Sequence, residues 1–329
     1  MKALALAALS LISTDPEPHR QFDFWVGEWS VQNRDLQGDG SWKDGDVTRA
    51  RITPFLDGRA MLEEWSGPFH GSFMNGFSLR SYDPIAEHWN LVLFWTTDGN
   101  GSFGRMNGRF RHGRGEFFAG RGKQRTRYTF SDALPTTVRW DSARSADGGI
   151  SWKTDWIMEF TRTAEASAMS PERLFAEPWK AGEVSPFEAA RQLDWTLGEW
   201  AGTAEVADGD RREARMRCAL LNQDCLIVDL LEFRDGDGWR GRLQVRGWNE
   251  SRKRWTAVLT ATDDSRIHML DAELEGDETR FVDAERKRAL VEEWSREAPG
   301  ELVVKTFAFD APTGEARPGP LTLRLDKVE

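Results

Sequence analysis

Hydrophobic and polar residues alternate in short runs along most of this chain. The runs are rich in β-branched and aromatic side chains, which favour strands. They include residues 49–52, 61–65, 77–82, 89–96 and 156–162. Turn-forming residues separate the runs, at positions 57–58, 83–84, 98–99 and 147–149. Because no helical periodicity lies between these runs, the pattern predicts an antiparallel β-barrel or β-sandwich.

The chain also contains an internal repeat. Residues 22–29 read FDFWVGEW, and residues 193–200 read LDWTLGEW, 171 positions later. Residues 79–83 and 245–249 then match at an offset of 166, which the neighbouring strands keep. A constant offset over such a span indicates that one β-rich domain has been duplicated.

The length of 329 residues fits two domains. The repeat places the first barrel at residues 15–163 and the second at residues 185–329, with a linker at 164–184. Residues 1–14 are an export signal or a disordered start, because a charged Met-Lys pair precedes a short apolar run. Export would make the protein periplasmic or secreted, whereas a chain without a signal would be cytoplasmic, and the sequence leaves both open.

Short helices are predicted before each copy. Ser185 to Glu188 form a capping box with Pro186 at the first helical position. A looser version, from Asp15 to Gln21, precedes the first copy. One more short helix is predicted in the linker, from Ser170.

A Gly-x-Trp on the first strand, after a short helix and with an Arg on the last strand, resembles the calycin superfamily of lipocalins, fatty-acid-binding proteins and nitrobindin-like barrels. In those barrels the Arg lies over the Trp and closes one end. The resemblance therefore implies that Arg162 covers Trp29 and that Arg324 covers Trp200, both in a structural role.

The F-D-F-W-x-G-E-W signature, with residues 145–152, more closely resembles an uncharacterised bacterial family of lipocalin-like domains. This resemblance implies an all-β fold of two tandem antiparallel lipocalin-like barrels, and it names no activity. Nitrobindin-like barrels hold haem through a His late in the domain. Neither residues 156–162 nor residues 321–326 contain a His, so no haem is expected.

The composition adds one unusual feature, sixteen Trp against two Tyr. Such an excess indicates either wide interiors that large rings fill, or cavities that rings line. The net charge is −10, and residues 193–329 carry −8 of it while residues 22–163 are neutral. An acidic second half argues against nonspecific nucleic-acid binding, since attraction to phosphate supplies most of that affinity. The two barrels are expected to pack on each other.

Several other motifs predict little chemistry. Residues 99–104 spell G-x-G-x-x-G, but a strand-like pattern follows where dinucleotide binding needs a helix. The arginines between 105 and 127 read as solvated strand faces, with a patch for an anionic head group as the weaker alternative. The five His are scattered, so neither a metal nor another cofactor is expected. Cys218 and Cys225 either bridge one hairpin or remain buried free thiols.

The first copy holds nine Trp and the second six, so a ligand cavity is predicted in the first barrel. Glu63 aligns with Asp229, and Arg80 with Arg246. Facing inward, these charges would orient a ligand or transfer protons, and facing outward they would be ordinary surface. The candidate ligand-binding residues are Glu63, Trp65, Arg80, Phe94, Trp95 and Trp140.

Three functions stay open at this stage. The leading hypothesis is noncatalytic binding of a small apolar or amphipathic molecule in the first barrel. An enzyme of hydratase, cyclase or isomerase type, with Glu63 as its acid or base, is the second. A scaffold whose barrels only bind partners is the third.

Overall fold

The computed structural model describes residues 17–95, 103–177, 187–206, 209–221, 225–264, 266–284, 290–309 and 316–328. The predicted export segment lies outside these residues, as do most of the 99–104 loop and the Ser185-Pro186 pair. Among the described residues, no helix combines the length and hydropathy needed to cross a bilayer.

The first copy forms a closed barrel of ten antiparallel strands, in which each strand pairs with the next and the last pairs with the first. Its strands are β1 (Gly27–Leu36), β2 (Trp42–Phe55), β3 (Ala60–Phe69), β4 (Ser72–Asp83), β5 (His88–Trp95), β6 (Gly104–Arg111), β7 (Arg114–Arg121), β8 (Gln124–Ser131), β9 (Thr137–Ser145) and β10 (Lys153–Ala164).

The second copy forms a second closed barrel with the same up-and-down order. Its strands are β11 (Gly198–Val206), β12 (Arg211–Leu221), β13 (Leu226–Asp235), β14 (Gly238–Asn249), β15 (Arg254–Ala261), β16 (His268–Glu275), β17 (Glu278–Asp283), β18 (Leu290–Ala298), β19 (Glu301–Phe309) and β20 (Ala316–Lys327). The predicted all-β fold of two tandem antiparallel barrels is confirmed.

Helical structure in the described residues is short. Helix α1 (Pro171–Ala176) is the predicted linker helix, and the Ser170 side chain caps it by accepting a hydrogen bond from the Arg173 N–H. Single turns of 3-10 helix lie before both barrels and in the linker, at Pro18–Arg20, Asp23–Trp25, Ala166–Ala168, Glu188–Arg191 and Asp194–Thr196. Each Gly-x-Trp strand therefore follows a tight helical turn.

The duplication extends to individual side-chain hydrogen bonds. The Trp29 indole N–H donates to the Trp25 carbonyl at 2.9 Å, and the Trp200 indole N–H donates to the Thr196 carbonyl at 2.8 Å. These bonds tie the helical turn to the first strand in both barrels. A second matching pair joins Trp89 to Gln21 at 3.2 Å and Trp255 to Gln192 at 3.1 Å.

The barrels pack on each other through the outer faces of β2–β5 and β12–β15. This interface is apolar and includes Leu174 from α1. Phe94 lies in it, so the predicted role of Phe94 in lining a barrel interior is wrong. The error has a simple cause: β5 is buried on both faces, and alternate residues point to the barrel interior and to the other barrel.

Candidate functional site

A buried ion pair lies inside the first barrel. Glu63 and Arg80 both point inward, and an Arg80 Nη2 to Glu63 Oε2 distance of 3.0 Å joins them. The Ser78 hydroxyl donates to the same carboxylate oxygen at 2.6 Å. The Arg80 guanidinium lies 3.8 Å from the centre of the Trp25 ring, and burial lowers the pKa of Arg80. The carboxylate is therefore held by local donors.

Aromatic rings fill the first barrel on both sides of this ion pair. The rings of Phe22, Trp25, Phe117 and Phe130 pack together at the helical end. The rings of Trp65, Trp95, Trp140 and Trp156 pack together toward the other end.

The space that remains beside Glu63 and Arg80 is about 20 Å³, room for roughly one water molecule. Among the described residues of the first barrel, the tryptophans fill the interior beside this ion pair instead of lining a ligand-sized space, which is contrary to the predicted cavity. Of the predicted residues, Glu63, Trp65, Arg80, Trp95 and Trp140 surround this small void.

The second barrel contains a cavity of about 660 Å³. That volume lies in the range of small-molecule sites, roughly 300–1,000 Å³. Its walls are mainly apolar and come from strands around the barrel, and they include Leu231, Phe233, Leu259, Ala261, Val291, Phe307 and Leu321.

Differences in side-chain size explain why the two interiors differ. In the first barrel, Trp65, Gly76 and Trp95 form one row across β3, β4 and β5. A Cβ atom on Gly76 would come within 2.6 Å of the Trp95 ring, so only glycine leaves room for that ring.

The matching row in the second barrel is Leu231, Arg242 and Ala261, across β13, β14 and β15. The large and small residues of the β4–β5 pair are exchanged in the second barrel. Arg242 occupies the position of Gly76, and Ala261 occupies the position of Trp95. On the last strand, Leu321 occupies the position of Trp156. Leu321 pairs with Val206 in the second barrel, and Trp156 pairs with Asp35 in the first. Three indoles are thereby replaced by one methyl group and two isobutyl groups, which opens the cavity.

A cluster of four buried charges lies at the inner end of this cavity. Arg242 Nη1 donates to Asp229 at 2.8 Å, and Arg242 Nε lies 2.5 Å from Glu292. Arg246 Nη2 lies 3.0 Å from Asp229, and its guanidinium lies 4.6 Å from the Trp294 ring centre. Burial raises the pKa of Glu292, and Arg242 opposes that shift. Arg242 and Glu292 themselves line the cavity.

His268 and Asp264 lie at the rim of the same cavity. The His268 Nε2 atom lies 3.0 Å from Asp264, and its Nδ1 atom lies 3.8 Å from Asp283. The hydrogen bond to Asp264, followed by the longer contact with Asp283, raises the pKa of His268, although burial and Arg266 act in the opposite direction. Both ring nitrogens face carboxylates, so the imidazole is suited to carrying a positive charge.

The rim makes stability depend on pH. Since the pKa of His268 is raised above its ordinary value of 6.5, its stabilising charge is fully present below that value and is lost as pH rises through the folded-state pKa. We expect the free energy of unfolding to fall by up to about 1 kcal/mol above that range. Urea denaturation across pH, compared between the wild type and His268→Gln, measures it. If His268→Gln loses as much free energy of unfolding with rising pH as the wild type, His268 is not the group responsible. The control is His112→Asn, at an exposed histidine, which should keep the pH dependence of the wild type.

The two Gly-x-Trp ends are closed differently. The Arg162 guanidinium lies 4.0 Å from the centre of the Trp29 ring and donates to the carbonyls of Phe24, Val26 and Pro135, each at 2.6 Å. This arrangement brings together the two residues that the calycin resemblance paired, and it ties the helical turn to the last strand.

In the second barrel, Lys327 and not Arg324 lies over Trp200, with Nζ 5.7 Å from the ring centre. Trp200 pairs in register with Lys327, whereas Arg324 pairs with Thr203. Because Arg324 lies three positions before Lys327, an odd offset along a strand, it points to the opposite face, where it lies 3.2 Å from Glu297. The predicted pairing of Arg324 with Trp200 is therefore wrong.

This difference predicts unequal contributions to stability. Arg162→Met removes three charge-assisted hydrogen bonds and a ring contact, so we expect a loss of about 2 kcal/mol in the free energy of unfolding. Lys327→Met removes one long cation–π contact and is expected to lose less than about 1 kcal/mol. Guanidinium denaturation of both variants measures the two losses, and equal losses would contradict the difference in closure.

The cysteines do not form a disulfide. Cys218 is a buried thiol whose pKa is raised to about 11 by burial, and Cys225 is a partly buried thiol. The Cys218 Sγ atom lies 3.3 Å from Arg246 and 3.5 Å from Thr196. Within the described residues, no group of three or more His, Cys, Asp or Glu side chains is placed to hold a metal ion.

Comparisons with known proteins return structural neighbours only. No protein-family model matches the sequence, and no curated protein matches it either. A redesigned β-barrel is 12% identical and covers 44% of this chain and 96% of its own, with a TM-score of 0.26. An S-type phycobiliprotein lyase from Guillardia theta is 12% identical and covers 45% of this chain and 94% of its own, with a TM-score of 0.34.

A protein of unknown function from the DUF3598 family of Nostoc punctiforme is 10% identical and covers 95% of this chain and 100% of its own, with a TM-score of 0.28. At these identities and scores, the similarities identify neither a ligand nor a reaction. The chain is a tandem of two closed ten-stranded antiparallel barrels.

Proposed function

We propose that this protein binds a small apolar or amphipathic molecule, without catalysis, in the cavity of the second barrel. The observation that carries the proposal is the cavity of about 660 Å³, with an apolar wall and a polar inner end. Such a combination is typical of small-molecule sites, in which apolar walls bury the ligand and a few polar groups orient it.

The filled first barrel supports the same proposal by contrast. Both barrels have the same strand order and an equivalent buried ion pair, Glu63–Arg80 in the first and Asp229–Arg246 in the second, yet only the second lacks indoles at the positions of Trp65, Trp95 and Trp156. Burying the apolar wall of the cavity against a ligand stabilises the complex by about 25 cal/mol per Å² of apolar surface removed from water. In this account the first barrel is a packed partner that supports the second through their shared interface.

An enzymatic role centred on Glu63 receives less support. Ser78 and Arg80 hold its carboxylate, and the adjoining space of about 20 Å³ cannot admit an organic substrate.

We also propose that the chain belongs to the bacterial lipocalin-like family that the F-D-F-W-x-G-E-W signature resembles.

Titration of the full chain with N-phenyl-1-naphthylamine, a neutral hydrophobic fluorophore, tests the proposed binding. We expect saturable enhancement of its fluorescence with one site per chain, and displacement by other small hydrophobes. A fluorescence signal that rises linearly without saturating, or equal binding of the fluorophore at two sites, would contradict binding at one site in the second barrel.

A further inference from the structure

The polar inner end of the second-barrel cavity has a specific hydrogen-bonding character. We infer that it recognises a neutral ligand that carries a hydrogen-bond acceptor, such as the carbonyl oxygen of a ketone, ester or amide, on an apolar body, in preference to a carboxylate. This inference rests on the proposed function and narrows its ligand class. Arg242 is the residue that carries it.

Arg242 lines the cavity and is 94% buried, since only 6% of its surface is exposed. Its Nη1 atom donates to Asp229, and its Nε atom lies against Glu292. Its Nη2 atom is buried and has no hydrogen-bond partner among the described residues. A buried N–H group without a partner carries a free-energy penalty, so this group favours a guest that brings an acceptor.

The two guanidinium groups at the inner end of the cavity are already paired. Two guanidinium groups, Arg242 and Arg246, face two carboxyl groups, Asp229 and Glu292. Both oxygens of Glu292 contact donors, because Arg242 Nε lies against Oε1 and the Trp294 indole N–H donates to Oε2 at 2.9 Å. Both guanidinium groups are already paired, so a ligand carboxylate would lose its hydration without gaining an unpaired cation and would be repelled by the Asp229 carboxylate at low dielectric.

A neutral acceptor avoids that repulsion. Its oxygen can accept from Arg242 Nη2 without displacing Asp229 or Glu292, while its apolar body lies along Leu259, Phe307 and the other wall residues. Gln244, which lies on the same face of β14, is also fully buried with neither amide atom hydrogen-bonded among the described residues. Arg246 Nε and Nη1 are also buried without a hydrogen-bond partner among the described residues, so the polar layer of this barrel has unmet donors on three residues.

The first barrel shows that this arrangement is particular to the second. In the first barrel, Gly76 occupies the position that corresponds to Arg242. Arg80 is paired there with one carboxylate, that of Glu63, beside the packed indoles. The extra Arg242 and Glu292 side chains occur where the indoles are missing. The added charges and the added space therefore coincide.

Competition against N-phenyl-1-naphthylamine tests the inference with 2-decanone, decanoate and decane at about pH 7.5, where decanoate is ionised. We expect 2-decanone to bind about tenfold more tightly than either of the others. Arg242→Met should weaken 2-decanone about fivefold to tenfold and leave decane unchanged. Arg280→Met, which removes an exposed guanidinium of the same barrel outside the cavity, is the matched control.

Binding of decanoate as tight as that of 2-decanone, or tighter, would overturn the inference while leaving the proposed function in place. Failure of all three compounds to displace the probe would overturn both. Because the order of the three compounds is measured on the unmodified chain, the test does not depend on the folding of the Arg242 variant.

Discussion

Placing tryptophans in the second-barrel cavity is expected to weaken ligand binding by about 100-fold, or about 2.7 kcal/mol. The variant is Leu231→Trp with Leu321→Trp, which restores two of the three indoles that distinguish the first barrel. In the first barrel the corresponding rings, Trp65 and Trp156, lie 6.4 Å apart between centres. The new rings should therefore meet across the cavity and occupy the space of the ligand. Titration with N-phenyl-1-naphthylamine measures the loss.

The chain offers a matched control in Leu134→Trp with Leu274→Trp, since these leucines are 58% and 38% exposed. This control makes the same chemical change outside the cavity and should bind the probe like the wild type. The cavity variant should keep its stability, because its rings enter empty space and do not overpack a filled core. Unchanged binding in the cavity variant, with normal folding, would contradict the location of the site.

Removing the buried guanidinium of the first barrel is expected to lower the free energy of unfolding by about 3–5 kcal/mol. In Arg80→Met, the Glu63 carboxylate loses its ionic partner while it remains 93% buried, since only 7% of its surface is exposed. The variant also loses the contact between the guanidinium and the Trp25 ring at 3.8 Å. Guanidinium denaturation measures the change.

Two further variants separate the ion pair from a general effect of the substitution. Arg114→Met breaks an exposed pair with Glu116, at 3.2 Å, and should lose less than about 1 kcal/mol. Glu63→Gln with Arg80→Met removes both charges and should recover part of the loss, because no unpaired charge remains buried. A double variant as unstable as Arg80→Met would show that the ring contact, and not the ion pair, dominates.

The fold was largely predictable from the sequence because its signals are local or repeated. Alternating strands, turn residues and a constant offset between copies indicated two antiparallel barrels. The register of the last strand was not predictable in the same way. An Arg recurs near the end of both copies, but only the observed pairing of Trp200 with Lys327 shows which residue faces the ring.

The direction of individual side chains was harder to predict. Strand β3 is buried on both faces from Ala60 to Gly67, because one face meets the barrel interior and the other meets the second barrel. Alternation of apolar and polar residues therefore disappears, and neither Glu63 nor Phe94 could be assigned a side from sequence. Packing between the barrels is a tertiary property that no local pattern records.

The location of the cavity was missed for a related reason. An excess of tryptophans is compatible with a filled interior and with a lined cavity, and only the contacts between the rings show that they fill the first barrel. The useful signal was the opposite one, namely the small Ala261 where the first copy has Trp95. The importance of Arg242 and Glu292 follows only once the strand registers bring both to one cavity.

A crystal structure of the full chain with 1-bromodecane tests the central claim most directly, since anomalous scattering locates the bromine without assumptions about the ligand's orientation. We expect bromine density in the second barrel, among Leu231, Ala261 and Phe307. Density among Trp65, Trp95 and Trp140 in the first barrel, with an empty second barrel, would contradict it.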